Sequence, residues 1–167
     1  MLDDRALAHI ERELQQIEDL FRAYRTLLSK ASINEPNLVE LTALAGVLHS
    51  FYNGVENVFQ TIAKRVDGQM PTGSNWHWEL LHLMARKTDN RHPVVFPETI
   101  DRLEPYLGFR HFVRHAYSFR LDWTKMEDLV LELDEVWATF RQDIRLWLDS
   151  EPEGSVNLDS NSPTQKE

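Results

Sequence analysis

Residues 38–66 decide the fold, and they read LVELTALAGVLHSFYNGVENVFQTIAKRV. Apolar side chains recur there every three or four residues, at Leu38, Leu41, Ala45, Leu48, Tyr52, Val55, Phe59, Ile62 and Val66. This spacing places them on one face of an α-helix. Gly68 follows at a position where glycine commonly ends a helix. The stretch therefore predicts a long helix that buries one face against neighbouring helices.

Two further stretches repeat this spacing on either side of the first. The earlier one has its apolar residues at Leu7, Ile10, Leu14, Ile17, Phe21, Tyr24 and Leu28, and the later one at Trp123, Met126, Val130, Leu133, Trp137, Phe140, Ile144 and Trp147. Asp3 or Asp4 can cap the earlier helix, residues 34–37 break it, and Asp122 can cap the later one. Three long stripes of this kind predict near-antiparallel packing in an up-down bundle.

Two more helices complete the predicted fold. A short one runs from Trp76 to about Arg86, and a longer one from residue 97 to about Leu121, with a kink or break expected at Pro105 and Gly108. We therefore predict an all-α, up-down bundle of about five helices, four long and one short. The helical domain covers residues 1–149. Residues 150–167 are rich in Pro, Gly, Ser, Asn and acid, which predicts a disordered acidic tail.

The composition restricts the classes of function. The net charge of −9 argues against broad nucleic-acid binding, and the lack of cysteine excludes disulfides and thiolate metal sites. No apolar run is long enough to cross a membrane and no secretory signal is visible, so we expect a cytoplasmic protein. The charge is uneven, however: residues 105–121 carry three arginines, two histidines and no acid. Such a basic stripe can form a local anion site.

Residues 110–117 within this stripe read RHFVRHAY. Arg110 is followed after four residues by His115 and then, after one more, by Tyr117. Chance would produce this full pattern about 0.013 times in a chain of this composition, whereas the looser arginine–histidine spacing also occurs at Arg86 and His92. An arginine offers a planar, permanent charge matched to phosphate, and a histidine can transfer protons near neutral pH. These two residue types suit phosphodiester chemistry, and RNA is a substrate that carries its own nucleophile in the 2′-hydroxyl group.

The chain resembles the HEPN ribonucleases of the HepT toxin type. The resemblance rests on residues 110–117, on FYNGVENVF at 51–59, on WHWELL at 76–81 and on the turn LDW at 121–123, and it extends over about residues 5–148. It implies a HEPN-type bundle and a metal-independent endoribonuclease that needs no cofactor and cleaves tRNA or mRNA. It also implies that Arg110 and His115 are the catalytic pair.

The geometry of an α-helix limits how Arg110 and His115 can approach one phosphate. On an ideal helix Arg110 and Tyr117 lie about 20° apart, whereas His115 lies about 140° from Arg110. Either the helix is distorted, or two copies of the chain build a shared cleft. The resemblance implies the second arrangement, a homodimer with both motifs at its interface.

Tyr117 has two interpretations. It can position RNA through its ring and hydroxyl group. The resemblance also implies a type VII-like toxin–antitoxin module, in which a partner nucleotidyltransferase antitoxin of the MNT type attaches AMP to this tyrosine. The added phosphate and bulk would block the phosphate site beside Arg110.

Other residues are weaker candidates for the site. Arg114 is either a phosphate ligand or a surface charge. His111 stands where many relatives carry a small polar residue such as Asn, which bears on the polar support of Arg110. It also lies four residues before His115, a spacing that metal sites use, but with no third ligand in view we expect no metal. Glu56 either faces the catalytic cleft or, as we expect, is a partly solvated glutamate.

Charged residues elsewhere have simpler interpretations. His77 and His82 are expected to be packed or surface histidines. Arg86, Lys87 and Arg91 either extend an RNA-binding surface or are solvated loop charges. A non-catalytic helical module that binds nucleotides or docks a nucleotidyltransferase is the alternative function. A four-helix cofactor protein is disfavoured because the chain shows no Glu-x-x-His pairs on facing helices.

Overall fold

The structure is a computed structural model that describes residues 2–115, 117 and 120–150. This part of the chain is helical and contains no strand, which confirms the predicted all-α fold. Its six α-helices are α1 (Asp4–Ala23), α2 (Arg25–Ala31), α3 (Leu38–Ile62), α4 (Trp76–Met84), α5 (Pro97–His115) and α6 (Trp123–Ser150). None of them is both long and apolar enough to cross a membrane.

Helix α3 lies at the centre of the bundle and packs against all five other helices. Asn37 caps its start: its side chain accepts a hydrogen bond from the Glu40 amide, and the Glu40 side chain accepts one from the Asn37 amide. A π-helical turn, Ala63–Asp67, extends α3, and Gly68 ends it with φ of 73°. That left-handed conformation favours glycine, so the predicted helix stop is confirmed.

Ion pairs between helices show that α1 and α6 run antiparallel. Early in α1, Glu11 pairs with Arg145 late in α6, and further along α1, Glu18 pairs with Arg141 at 3.0 Å. Partners that move forward along one helix and backward along the other define an antiparallel register. The predicted Trp123–Trp147 stripe of α6 is buried along its whole length beneath these surface pairs.

Helices α5 and α6 are also antiparallel. At the start of α5 the Thr99 hydroxyl donates to Asp143 at 2.6 Å. About two helical turns later, the Tyr106 hydroxyl donates to the Leu129 carbonyl, which lies earlier in α6, at 2.7 Å. Asp143 also accepts from the Phe96 amide at 3.0 Å and so satisfies a backbone donor before α5. These buried bonds fix the position of α5, the helix that carries the motif.

The prediction of one continuous first helix is wrong. Tyr24, with φ of −104° and ψ of 11°, interrupts the helix between α1 and α2. Beyond it, Arg25 pairs with Asp134 of α6 at 2.6 Å, and Leu28 is buried. The interruption thus accompanies contacts with α6, which is distant in the sequence, and the local apolar spacing does not reveal it. Leu7 and Tyr24 of the predicted stripe, and Leu38 of the next, are largely exposed instead of buried.

Helix α5 is shorter than predicted but not broken. It includes Pro105 and Gly108 in one segment, so the expected break does not occur. The helix ends at His115 rather than near Leu121, and the Arg120 amide donates to the Tyr117 carbonyl at 2.9 Å in the connection to α6. The antiparallel packing of α5 and α6 requires the chain to reverse before Trp123. The predicted tail from residue 151 onward lies outside the described residues.

Candidate functional site

Arg110 lies where α3, α4 and α5 meet. Its position follows from the packing of the preceding turn, because Tyr106 is buried with its ring 5.2 Å from the Phe51 ring of α3 in an edge-to-face contact. Phe109 is buried as well. With these rings in the core, the Arg110 side chain passes over the surface of α3, and only 12% of it is exposed.

Two side chains hold the Arg110 guanidinium group, and a third lies in contact with it. Its Nε donates to Asn53 Oδ1 at 2.6 Å, and its Nη2 lies 3.3 Å from Glu56 Oε1. Its Nη1 lies 3.4 Å from Nδ1 of His77, on α4. We call these four residues, Asn53, Glu56, His77 and Arg110, the Arg110 cluster. A guanidinium group has five N–H donors, so at least two are left for a ligand after these contacts.

Glu56 joins the two basic members of this cluster. Its Oε2 lies 2.5 Å from Nδ1 of His77, while its other oxygen faces Arg110. Only 4% of Glu56 is exposed, so the expectation of a partly solvated glutamate is wrong. The reason is tertiary: α4 and α5 both pack over this part of α3 and bring their basic side chains to it. A carboxylate buried in this way must be paired, and here it has two partners.

Asn53 and His77 are the members of the cluster that the sequence analysis did not assign to the site. Nδ1 of His77 is the key atom of the cluster, because it contacts both Glu56 and Arg110. Nδ1 must carry the proton, because a short contact between an unprotonated nitrogen and a carboxylate would be repulsive. The Trp76 ring stacks on the imidazole at 3.6 Å between centroids. The signal that could have found His77 is its place inside the WHWELL stretch at residues 76–81.

Two polar side chains lie close to Arg110 on the same stretch of α3. Burial lowers the pKa of His49, and the positive charges of Arg110 and Arg114 lower it further. Burial raises the pKa of Tyr52 far above its usual value, and Glu56 adds to the effect. Within the described part of the chain, His49 Nδ1 and the Tyr52 hydroxyl find no hydrogen-bond partner. Two uncharged polar side chains of α3, His49 and Tyr52, therefore lie next to the Arg110 cluster.

The other motif residues lie at the exposed end of α5. His111, Arg114 and His115 are exposed, and the rings of the two histidines lie 5.0 Å apart. Tyr117, beyond the last helical residue, is 71% exposed. Arg110 and His115 have different surroundings, because the Arg110 side chain is 12% exposed within the cluster whereas His115 is exposed, and no hydrogen bond links the two in the described structure. Because Tyr117 is outside the helix, the 20° relation expected between it and Arg110 does not apply.

The predicted basic surface at residues 86–91 is divided. Arg86 and Lys87 are exposed, but the Arg91 side chain is fully buried and pairs with Asp67 at 2.8 Å. It also donates to the Arg86 carbonyl at 3.0 Å. Both interpretations of Arg91, as an RNA contact and as a solvated charge, are therefore wrong, because its contacts hold the loop after α4 against the end of α3.

His82 provides a useful comparison within α4. Its Nε2 lies 2.5 Å from Glu104 of α5, and its ring lies 3.8 Å from that of Trp78. The side chain is 24% exposed, as is that of His77. His82 thus repeats the carboxylate and tryptophan contacts of His77 without a guanidinium group beside it. In the chain as far as it is described, no three His, Cys, Asp or Glu residues form a group that could hold a metal ion.

Comparison with known proteins identifies the family. The chain matches no curated protein and no solved structure. A family model described as "HepT-like protein" matches residues 43–150, from the second turn of α3 to the end of α6, and so includes the Arg110 cluster and the exposed end of α5. The match spans well over half of the chain, and the chain therefore belongs to the HepT-like family.

Proposed function

We propose that this protein is an endoribonuclease toxin of a toxin–antitoxin module. Arg110 binds the scissile phosphate, and His115 takes part in proton transfer. The observation that carries the proposal is the state of Arg110: Asn53 and Glu56 fix its guanidinium group, yet at least two of its N–H donors have no partner among the described residues. A fixed guanidinium group with free donors suits the developing charge of a phosphoryl transition state.

The chemistry proceeds within the RNA itself. The 2′-oxygen attacks the adjacent phosphorus and loses its proton to a base, while the bond from phosphorus to the 5′-oxygen breaks and that oxygen receives a proton from an acid. The products are a 2′,3′-cyclic phosphate and a free 5′-hydroxyl group. This chain's part is to bind the phosphate through Arg110 and to supply the proton-transfer groups.

In the proposed homodimer the two copies bring Arg110 and His115 to one cleft. The exposed end of α5 supports this proposal: Phe112, three residues before His115, is 41% exposed and borders a groove of about 650 Å³ between α5 and α6. The groove is partly lined by Phe109, Leu121 and Met126. Exposed apolar surface of this kind favours contact with another protein surface. His115 of each copy would then act beside Arg110 of the other.

Tyr117 suits control by an antitoxin. Tyr117 is 71% exposed and lies beyond the last helical residue of α5, which suits access by a modifying enzyme. We propose a nucleotidyltransferase of the MNT type as the partner and AMP as the added group. A phosphodiester at Tyr117 would bring negative charge to the end of α5 and compete with the RNA phosphate for its basic residues.

Expression in bacteria and cleavage of labelled RNA by the purified protein test the proposal together. Wild type should arrest growth and cut RNA, and Arg110→Ala and His115→Ala should do neither. Arg145→Ala and His9→Ala, which remove an exposed arginine and an exposed histidine of the same types far from the motif, should behave as wild type. Mixing the two inactive variants should restore part of the activity if the site is shared between copies.

The alternative is a non-catalytic module that binds nucleotides or docks a nucleotidyltransferase. The observation in its favour is that Arg110 is already paired with Glu56, which reduces its charge toward a ligand. In that case the wild type would bind the nucleotidyltransferase or a nucleotide with measurable affinity, while RNA remained uncut by every variant.

A further inference from the structure

We infer that His77, with Glu56 behind it, is a second proton-transfer group of the Arg110 site and acts as the base that deprotonates the 2′-hydroxyl. This inference rests on the proposed function. Cleavage by the 2′-oxygen moves two protons, one from that oxygen and one to the 5′-oxygen, and the two transfers occur on opposite sides of the phosphorus. The proposed catalytic pair supplies one histidine for each Arg110, His115, and a single imidazole cannot lie on both sides in one step. His111, the other histidine of residues 110–117, lies against His115 and forms no hydrogen bond with Arg110 in the described structure.

Contact with Arg110 selects His77 among the seven histidines. Its Nδ1 lies 3.4 Å from Arg110 Nη1, so a phosphate bound by the guanidinium group would lie next to the imidazole. His82 has the same kind of carboxylate partner but none of its contacts is to Arg110. His49 is partly buried, and its pKa is lowered first by burial and then by Arg110 and Arg114; it forms no hydrogen bond with Arg110, and its Nδ1 has no partner in the described structure.

Glu56 determines which ring nitrogen of His77 can accept a proton. The 2.5 Å contact from Glu56 Oε2 to Nδ1 places the ring proton on Nδ1, so Nε2 carries the lone pair. Nε2 forms no hydrogen bond with any described residue, and 24% of the side chain is exposed. A carboxylate behind one imidazole nitrogen orients the ring and stabilises the imidazolium that forms when the other nitrogen takes a proton. Glu56 is thus a positioning residue, and His77 is the base.

The proton balance of the step is complete. His77 Nε2 takes the proton of the 2′-hydroxyl as the 2′-oxygen forms its bond to phosphorus. The bond from phosphorus to the 5′-oxygen breaks, and His115 in its imidazolium form donates a proton to that oxygen. His77 ends the step protonated and His115 neutral, and exchange with water restores both. The charged groups that contact His77 are Glu56 from α3 and Arg110 from α5.

The first experiment compares His77→Ala with His82→Ala. The two positions share helix, side-chain exposure, carboxylate distance and a neighbouring tryptophan; they differ in contact with Arg110 and in the exposure of the carboxylate, which is 5% for Glu56 and 42% for Glu104. We expect kcat on RNA to fall about 10²–10⁴-fold in His77→Ala, with loss of the acidic limb of the pH–rate profile. His82→Ala should keep the wild-type profile. An active wild type with equal rates and profiles in both variants would overturn this inference alone, and an inactive wild type would overturn the proposed function with it.

A substrate with a good leaving group separates base from acid. Uridine 3′-(4-nitrophenyl phosphate) releases nitrophenolate without protonation but still requires loss of the 2′-proton. His115→Ala should therefore recover much of its rate on this substrate, whereas His77→Ala should remain impaired. Recovery of His77→Ala instead of His115→Ala would contradict the assignment of His77 as the base.

Glu56→Gln tests the positioning role with two readouts. The imidazolium loses its carboxylate partner, so the acidic limb of the pH–rate profile should move to lower pH and kcat should fall. Removal of the negative charge beside Arg110 should also tighten binding of an RNA analogue with 2′-deoxyribose at the cleavage position. A variant that merely disturbs the fold would weaken binding and leave the limb in place.

One measurement needs no variant of the cluster. In 15N-labelled wild type, the ring nitrogens of His77 should show a proton on Nδ1 and a free Nε2. Addition of uridine 3′-monophosphate should move the Nε2 signal of His77 and leave that of His82 unchanged. A shift of the Arg110 side-chain signals without a shift at His77 would show that phosphate binds without reaching this imidazole, and would overturn the inference.

Discussion

Replacement of Arg91 by methionine should destabilise the protein severely without any direct effect on the proposed active site. The Arg91 side chain is fully buried, and its partner Asp67 is 3% exposed. The guanidinium group donates to Asp67 Oδ2 from Nε at 3.2 Å and from Nη2 at 2.8 Å. It also donates to the carbonyls of Arg86, at 3.0 Å, and of Leu83, at 3.3 Å.

The magnitude follows from what the substitution leaves behind. Methionine has a similar length but no donor, so the Asp67 carboxylate stays buried and loses its counter-ion. Removal of one partner of a buried ion pair typically costs about 3–5 kcal/mol. At about 2–4 °C per kcal/mol for a chain of this size, the melting temperature should fall by about 6–20 °C.

Arg145→Met is the matched control, because Arg145 pairs with Glu11 at the surface, where the two side chains are 50% and 40% exposed. An exposed pair contributes about 0–1 kcal/mol. Urea unfolding followed by tryptophan fluorescence gives the free energy of unfolding of each variant. The double variant Asp67→Asn/Arg91→Met should recover part of the loss, since it removes the unpaired charge. If Arg91→Met loses no more stability than Arg145→Met, the pair does not have the structural role assigned to it.

Four further substitutions test packing and buried polar groups in the bundle. Gly54→Ala should lower the free energy of unfolding by about 1–3 kcal/mol, because the new Cβ would lie 2.8 Å from two carbons of the buried Ile17. Gly46→Ala, where a Cβ would meet no atom within 4 Å, should raise it by about 0.5–1 kcal/mol. Urea unfolding of both variants measures the difference, and equal effects would contradict the close approach of Gly54 to Ile17. Since burial and two guanidinium groups lower the pKa of His49, the unfolded state binds more protons below about pH 6.5, so wild type should lose stability as the pH falls through that region, and His49→Gln should lose less. Parallel unfolding curves of the two proteins from pH 5 to 8 would refute that effect. Asp143→Ala should cost about 1–3 kcal/mol in urea unfolding, because it leaves a buried hydroxyl and a backbone amide without their acceptor; a neutral result would show that water replaces the carboxylate.

The fold was predictable because apolar spacing is a local property of the sequence. The stripe from Trp123 to Trp147 is buried throughout, and α3 ends at Gly68 as its sequence predicts. The errors come from contacts between distant parts of the chain. The interruption at Tyr24 accommodates α2 to α6, and the end of α5 at His115 is set by the reversal into α6. Apolar periodicity carries no information about either.

The site was predictable only for the residues of one helix. The spacing of Arg110, His115 and Tyr117 can be read from eight consecutive residues. The side chains that hold Arg110, however, come from 33 to 57 positions earlier in the chain, on α3 and α4. Glu56 and His77 therefore show no joint pattern in the sequence, although both lie in stretches on which the family resemblance rests. Only the packing of three helices brings them to one point.

The charge of the Arg110 cluster connects its geometry with catalysis. With a neutral His77, the positive charge of Arg110 is balanced by Glu56, and the cluster attracts a phosphate mainly through the free N–H donors. In the proposed mechanism, the cluster becomes cationic when His77 takes the proton of the 2′-hydroxyl, which is when negative charge accumulates on the phosphoryl oxygens. Attraction that strengthens only in the transition state raises the rate of the chemical step rather than the affinity for RNA. The buried carboxylate of Glu56 beside Arg110 would weaken simple phosphate binding, but it would favour the proposed reaction.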